Sequence, residues 1–133
     1  MILTGKSAIL AVLAIVGLVQ AAPAMHKRQT QSGPATFFTP GLGSCGITSS
    51  ATDHIVAVSS SFFDTFSGAT ANPNANPVCG RKMTVSFQGK STAVTVVDRC
   101  PGCGPTGIDL SPAAFNELAS PDLGRIQVTW TLH

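Results

Sequence analysis

The chain has 133 residues, 44% of them hydrophobic and only 11% charged, with one Trp, no Tyr and four Cys. Its formal charge of +2 rests on an N-terminal stretch that reads as removable: without Lys6, Lys27 and Arg28, five basic side chains (Arg81, Lys82, Lys90, Arg99, Arg125) face six acidic ones (Asp53, Asp64, Asp98, Asp109, Glu117, Asp122), a net −1. That balance excludes the basic footprint a nucleic-acid partner needs, and a charge-poor, Ser/Thr-rich surface suits a neutral partner such as a polysaccharide.

Lys6, the apolar run Ala8–Val19 and the small-residue site Val19-Gln20-Ala21 make residues 1–21 a signal peptide. The run is too short to span a bilayer, so a secreted chain with no membrane partner after processing is expected. Residues 22–28 form a short pro-segment ending in Lys27-Arg28, a dibasic site of the kexin type, and processing there starts the mature chain at Gln29. The remaining 105 residues make one domain, taken as a monomer and small enough that covalent bracing matters.

Residues 29–35 are polar with Gly and Pro and read as a flexible arm before a barrel domain over 36–133. Thr36-Phe37-Phe38 reads as a first short strand, stopped by Pro40-Gly41; a Gly/Ser/Thr loop carrying Cys45 follows, then a strand over Ile55–Ser59. Residues 60–66 suit a helical turn, and 68–77, rich in Asn and Pro, a loop. Lys82–Phe87 alternates, with Met83, Val85 and Phe87 on one face; Gln88-Gly89-Lys90 turns the chain and Thr92–Val97 returns as a hairpin partner. Ser111 is placed to cap a helix with Pro112 at its first position and Ala113, Ala114, Phe115 and Leu118 along its apolar side. Arg125–His133 alternates again, Ile126, Val128, Trp130 and Leu132 sharing a face. Short strands with one or two short helices indicate an all-β class, a small β-barrel.

Four cysteines in an oxidising compartment imply two disulfides, with three connectivities open. The preferred pairing is Cys45–Cys79 with Cys100–Cys103; the longer loop would contribute about 3–4 kcal/mol by loop-closure entropy and the shorter one less. Cys100-Pro101-Gly102-Cys103 has thioredoxin spacing, but the pair follows a strand and precedes a Gly/Pro loop rather than opening a helix, which argues against a catalytic redox role. No paired cysteine knuckles are present, and neither a metal nor an organic cofactor is implied.

Two acids carry the functional question. Asp98 ends the apolar run Val94–Val97 and, by alternation, shares a face with Val94 and Val96. It can act as an acid or grip sugar hydroxyls at the barrel mouth, or accept backbone N–H bonds from the Cys100–Cys103 turn. Asp109, two residues before Ser111, aims at a groove or supports the helix N-terminus. A glycosidase pair would need the carboxylates about 5–5.5 Å apart for retention or about 6.5–9.5 Å for inversion. Phe37 and Phe38 should point to opposite faces, one into the core and one available to stack on a sugar. Trp130 reads as core, and His54, with no acid or thiol near it in sequence, as a surface loop residue.

The segments Thr36–Gly46, Cys79–Val85, Val97-Asp98-Arg99-Cys100-Pro101-Gly102-Cys103 and Ile108-Asp109-Leu110-Ser111-Pro112-Ala113-Ala114-Phe115 resemble a secreted fungal domain of the RlpA-like double-psi β-barrel superfamily, which includes expansins, loosenins, barwin-like and kiwellin-like proteins and small protease inhibitors. The resemblance covers nearly the whole mature chain and implies a six-stranded double-psi β-barrel with a surface groove. In expansin-like and family 45 endoglucanase relatives that groove binds glucan; Asp109 matches the general-acid position and Asp98 a polar groove residue nearby. The endoglucanases carry a second acid in an early Tyr-Trp-Asp motif, where this chain has Thr36-Phe37-Phe38-Thr39; the lytic transglycosylases carry a histidine for which Ile55–Phe63 offers no counterpart; expansins carry a second domain, and this chain stops at His133.

These departures favour binding over hydrolysis. The leading expectation is a secreted, non-catalytic wall-polysaccharide binder of the loosenin kind, for glucan or chitin, using Asp98, Asp109, Phe37 and Phe38. The alternative is a protein-binding module, a cysteine-protease inhibitor or host-directed effector that meets a secreted protease through loops such as 68–77. The third is a weak glycosidase or lytic transglycosylase with Asp98 and Asp109 as its catalytic candidates.

Overall fold

The computed structural model describes residues 30–133; the signal peptide over 1–21, the pro-segment over 22–28 and the start at Gln29 lie outside the described residues. Six strands and two helices follow in the order β1 (Thr30–Phe37), β2 (Ile55–Ser59), α1 (Ser60–Asp64), β3 (Lys82–Phe87), β4 (Lys90–Cys100), β5 (Ile108–Leu110), α2 (Pro112–Leu118) and β6 (Ile126–Leu132), with short 3-10 turns at Pro73–Ala75 and Pro121–Leu123. The strands close into a barrel in the order β1-β5-β2-β4-β3-β6. Two neighbouring pairs, β1–β5 and β2–β4, run parallel and the others antiparallel.

The interior follows from alternation. Met83 and Val85, Val94 and Val96, and Val128 and Trp130 point inward and are almost fully buried. Short β2 and β5 add Val56, Val58, Ile108 and Leu110, and α2 closes the barrel with Ala114, Phe115 and Leu118. The indole N–H of Trp130 donates to the Thr106 carbonyl at 3.0 Å, so the buried ring keeps its polar atom satisfied. The hairpin between β3 and β4 turns on two residues, Gln88 (φ 48°) and Gly89 (φ 82°), the left-handed pair that a tight hairpin of this twist requires.

Two elements differ from expectation. The segment 30–35 is strand rather than flexible arm: it pairs with β6 from Thr30↔Thr131 to Ala35↔Ile126. Its partner lies a hundred residues away, so local composition carries no sign of it. Gly33 belongs to that fit, since a Cβ there would collide with the Thr106 carbonyl. Strand β5 has only three residues, too few for a periodicity to register. Ser111 does precede α2, but its hydroxyl makes no capping bond. It accepts from Ile55 N–H and donates to the Asp53 carbonyl, tying α2 to the start of β2.

Candidate functional site

The barrel brings Thr36, Asp109, Ala57 and Asp98 into one row across four strands. Thr36 on β1 is level with Asp109 on β5, Asp109 with Ala57 on β2, and Ala57 with Asp98 on β4. A bulge builds the last step. Val56 pairs with Val96, and the next pair, Ala57 with Asp98, skips Val97. A skipped residue reverses facing, so Asp98 leaves the inward face of Val94 and Val96 that plain alternation assigns it and joins the outer row. Ala57 contributes only a methyl group between the two acids, whose Cα atoms lie two strand spacings apart, roughly 10 Å.

The two carboxylates have different surroundings. Oδ1 of Asp98 accepts the backbone N–H groups of Ser44 and Arg99, both at 2.8 Å. It therefore braces the 41–49 loop against β4 rather than the Cys100–Cys103 turn from which its donors were expected. Oδ1 of Asp109 accepts the Thr36 hydroxyl at 2.9 Å. Burial pushes the Asp109 carboxyl above the usual aspartate range, the Thr36 hydroxyl pulls it back, and the charge of Asp98 raises it further. Asp109 lines a cleft of about 200 Å³ with Thr36, Arg125, Gly102, Gly104 and the Cys100–Cys103 pair; of the two acids, only Asp109 contributes to its wall.

Cys45 is joined to Cys79 and Cys100 to Cys103. The sulfurs of Cys100 and Cys103 and a carboxylate oxygen of Asp109 lie within 4.8 Å of one another, but sulfurs bonded to each other have no thiolate to offer a cation. The Cys45–Cys79 bridge anchors a compact loop. Leu42 bridges to Thr48, Gly43 N–H donates to the Ile47 carbonyl at 2.9 Å and Cys45 N–H to the Val97 carbonyl at 3.1 Å. This loop holds Leu42 at 75% and Ile47 at 42% exposure.

Phe37 packs its ring on Phe115 with centroids 4.8 Å apart and keeps 36% of its surface exposed. It is a partial lid on the core, turned away from the Asp109 row. Strand alternation carries Phe38, whose N–H donates to the Leu110 carbonyl, to the Thr36 side. Trp130 is 2% exposed, and Phe62 meets it edge-on at 5.3 Å. His54 is not a solitary loop residue: its Nε2 lies 3.0 Å from Glu117 Oε2, and the Thr92 hydroxyl donates to the other oxygen at 2.6 Å. The pairing joins residues 63 apart in sequence and becomes visible only when α2 packs beside β4. Arg99 makes a two-pronged contact with Asp64 at 2.6 and 2.8 Å. These residues border a second, wider depression of about 440 Å³ with Ser44, Thr70, Pro73 and Asn76. The 68–77 loop beside it is tied down by the buried side chain of Asn76, which donates to the Phe63 carbonyl at 2.8 Å and accepts Val78 N–H at 2.9 Å.

No helix among the described residues is long and apolar enough to cross a membrane. Residues 55–130 match a double-psi β-barrel family model described as "Lytic transglycolase". A papain inhibitor from Streptomyces mobaraensis is 40% identical over 107 residues, which are 77% of this chain and 71% of that protein. The solved structure of the Streptomyces papain inhibitor superposes with a TM-score of 0.71 at 38% identity, covering 78% of this chain and 94% of that one. A Clavibacter michiganensis expansin solved with cellohexaose superposes with a TM-score of 0.65 at 26% identity; the match covers 79% of this chain and half of the expansin. The allergen Asp f 7 of Aspergillus fumigatus is 36% identical over 107 residues, and the chain spans 39% of its length. With the six-stranded closure, the parallel β1–β5 and β2–β4 pairs and the family match in agreement, the chain belongs to the RlpA-like double-psi β-barrel family.

Proposed function

We propose that the protein is a secreted protein-binding module that inhibits cysteine proteases of the papain type. The observation that carries this reading is the match to the papain inhibitor over 94% of that inhibitor's solved chain. The exposed features of this barrel are of the kind an inhibitor uses. The 41–49 loop is held by a disulfide and by its bonds to Val97 and Asp98, so little ordering entropy is lost when it docks. It displays Leu42 and Ile47, apolar side chains that gain from burial against a partner. The Cys100–Cys103 turn leaves the same end of β4, with Pro101 and Gly102 exposed at its tip. Processing after residue 28 and export fit a partner met outside the cell.

A second reading, binding of a wall polysaccharide in the Asp109 cleft, is favoured by a separate observation. A half-buried carboxylate, the Thr36 hydroxyl, the Arg125 guanidinium and two glycines that let a ligand approach the backbone share that cleft. Against it stands the disposition of the aromatic rings. Trp130 is buried and Phe37 is engaged with Phe115, which leaves Phe38 as the ring nearest the row and no flat platform for a run of sugars. Hydrolysis by a carboxylate pair is not proposed, because that mechanism needs two acid–base groups in contact with the substrate and, of Asp98 and Asp109, only Asp109 reaches this wall.

One experiment separates the readings. The mature protein is titrated against papain with a peptide substrate, and in parallel pulled down with insoluble cellulose and chitin. Stoichiometric inhibition with no retention supports the inhibitor. Retention without inhibition, weakened by Asp109→Ala, would replace it with the polysaccharide reading.

A further inference from the structure

We propose that the Cys100–Cys103 disulfide is an electrophile, and that the barrel holds its target protease through a mixed disulfide with the protease's own catalytic cysteine. The proposal rests on the inhibitory reading above and supplies its chemistry. Both cysteines line the cleft, and both are partly buried. Cys103 sits between Gly102 and Gly104, both exposed, and a Cβ placed on either glycine would meet nothing within 4 Å. Gly102 and Gly104 thus add no side chain beside Cys103, whereas Cys100 is held at the end of β4 opposite Ser59. The turn leaves the end of β4 with an exposed Pro-Gly tip.

This is a different use from that of a thioredoxin pair. Those pairs turn over because a helix N-terminus stabilises their thiolate; here the cysteines join a strand to an irregular turn, and the pair serves as substrate for one exchange. The protease thiolate forms an S–S bond with Cys103 Sγ. The Cys100–Cys103 bond breaks, its electron pair leaves on Cys100 Sγ, and the protease's catalytic imidazolium, no longer paired with a thiolate, gives that sulfur its proton. One disulfide replaces another, with no net oxidation and no external reductant.

The surroundings make the step selective and reversible. The Asp109 carboxylate lies within 4.8 Å of both sulfurs and repels anionic thiolates arriving from solution. A docked thiolate overcomes that repulsion by proximity. Cys100 remains three residues from the mixed disulfide and can attack it to release the enzyme. Opening this short loop leaves the Cys45–Cys79 bridge and the core intact.

The mature protein is incubated with papain, quenched in acid, alkylated and analysed by mass spectrometry without reductant. The expected result is a one-to-one adduct linked through Cys103, with Cys100 alkylated, that dithiothreitol dissolves. The double variant Cys100→Ser/Cys103→Ser, folded by circular dichroism, should form no adduct and inhibit at least about tenfold more weakly. Independently of that variant's folding, wild-type protein should bind papain carrying an alkylated active-site thiol at least about tenfold more weakly than active papain. Undiminished inhibition without an adduct, or equal affinity for blocked papain, would overturn the covalent step while leaving the inhibitor reading in place. Absence of any inhibition by the wild type would instead remove the reading on which the step rests.

Discussion

The two disulfides close loops of very different size, and their removal should cost correspondingly different amounts. Cys45 and Cys79 are 34 residues apart, Cys100 and Cys103 only three. Loop-closure entropy gives about 3.8 kcal/mol at 25 °C for the first and about 1.6 kcal/mol for the second, a gap of about 2.2 kcal/mol. Packing widens the gap: Cys45 is 7% exposed and belongs to the core cluster, while Cys100 and Cys103 lie on the cleft wall. Cys45→Ala/Cys79→Ala should therefore lower the melting temperature by roughly 15–30 °C and Cys100→Ser/Cys103→Ser by roughly 6–13 °C, at about 4–8 °C per kcal/mol for a domain of this size. Thermal denaturation followed by tryptophan fluorescence is a suitable assay, because Trp130 is buried in the barrel and reports its opening. Equal losses, or a larger loss from the short loop, would refute the assignment of the long bridge as the structural one. The electrophilic role of the short bridge would lose its main condition, that the barrel survives its opening.

Asp109 is held above its ordinary pKa by burial, so its ionisation opposes folding. Its contribution is most favourable below the unfolded value of 3.8 and is lost as pH rises through the higher folded value. Asp109→Asn should accordingly stabilise the barrel at neutral pH, with the advantage vanishing as pH falls below 3.8, as read from denaturation midpoints across that range; an advantage independent of pH would contradict the burial argument. Asp98→Ala removes the acceptor of two backbone N–H groups and should cost about 1–3 kcal/mol. Amide exchange at Ser44 should accelerate, because the loop loses its tie to β4; unchanged exchange there would show that other contacts hold the loop. Gly33→Ala drives a methyl group into the Thr106 carbonyl and should cost about 1–3 kcal/mol in thermal denaturation, whereas Gly89→Asn, at a left-handed hairpin position with open space, should be nearly neutral.

The alternating runs Lys82–Phe87 and Arg125–His133 declared their strands and inward faces, because a period of two is a local property of the chain. Residues at Ser111-Pro112 marked the start of α2 for the same reason, though the Ser111 hydroxyl turned out to serve β2. The resemblance carried by Asp98–Cys103 and Ile108–Ser111 correctly named the barrel family. What the chain could not declare were pairings between distant segments. Residues 30–35 became strand through β6, His54 acquired Glu117 through the packing of α2, and the bulge at Val97 moved Asp98 from the inner face to the outer row. A side chain's direction is fixed locally, but its neighbours depend on register, and a single skipped residue reverses both. The sequence therefore determined which groups this protein possesses; only barrel closure decided that Asp98 braces a loop while Asp109, beside the Cys100–Cys103 disulfide, faces the cleft.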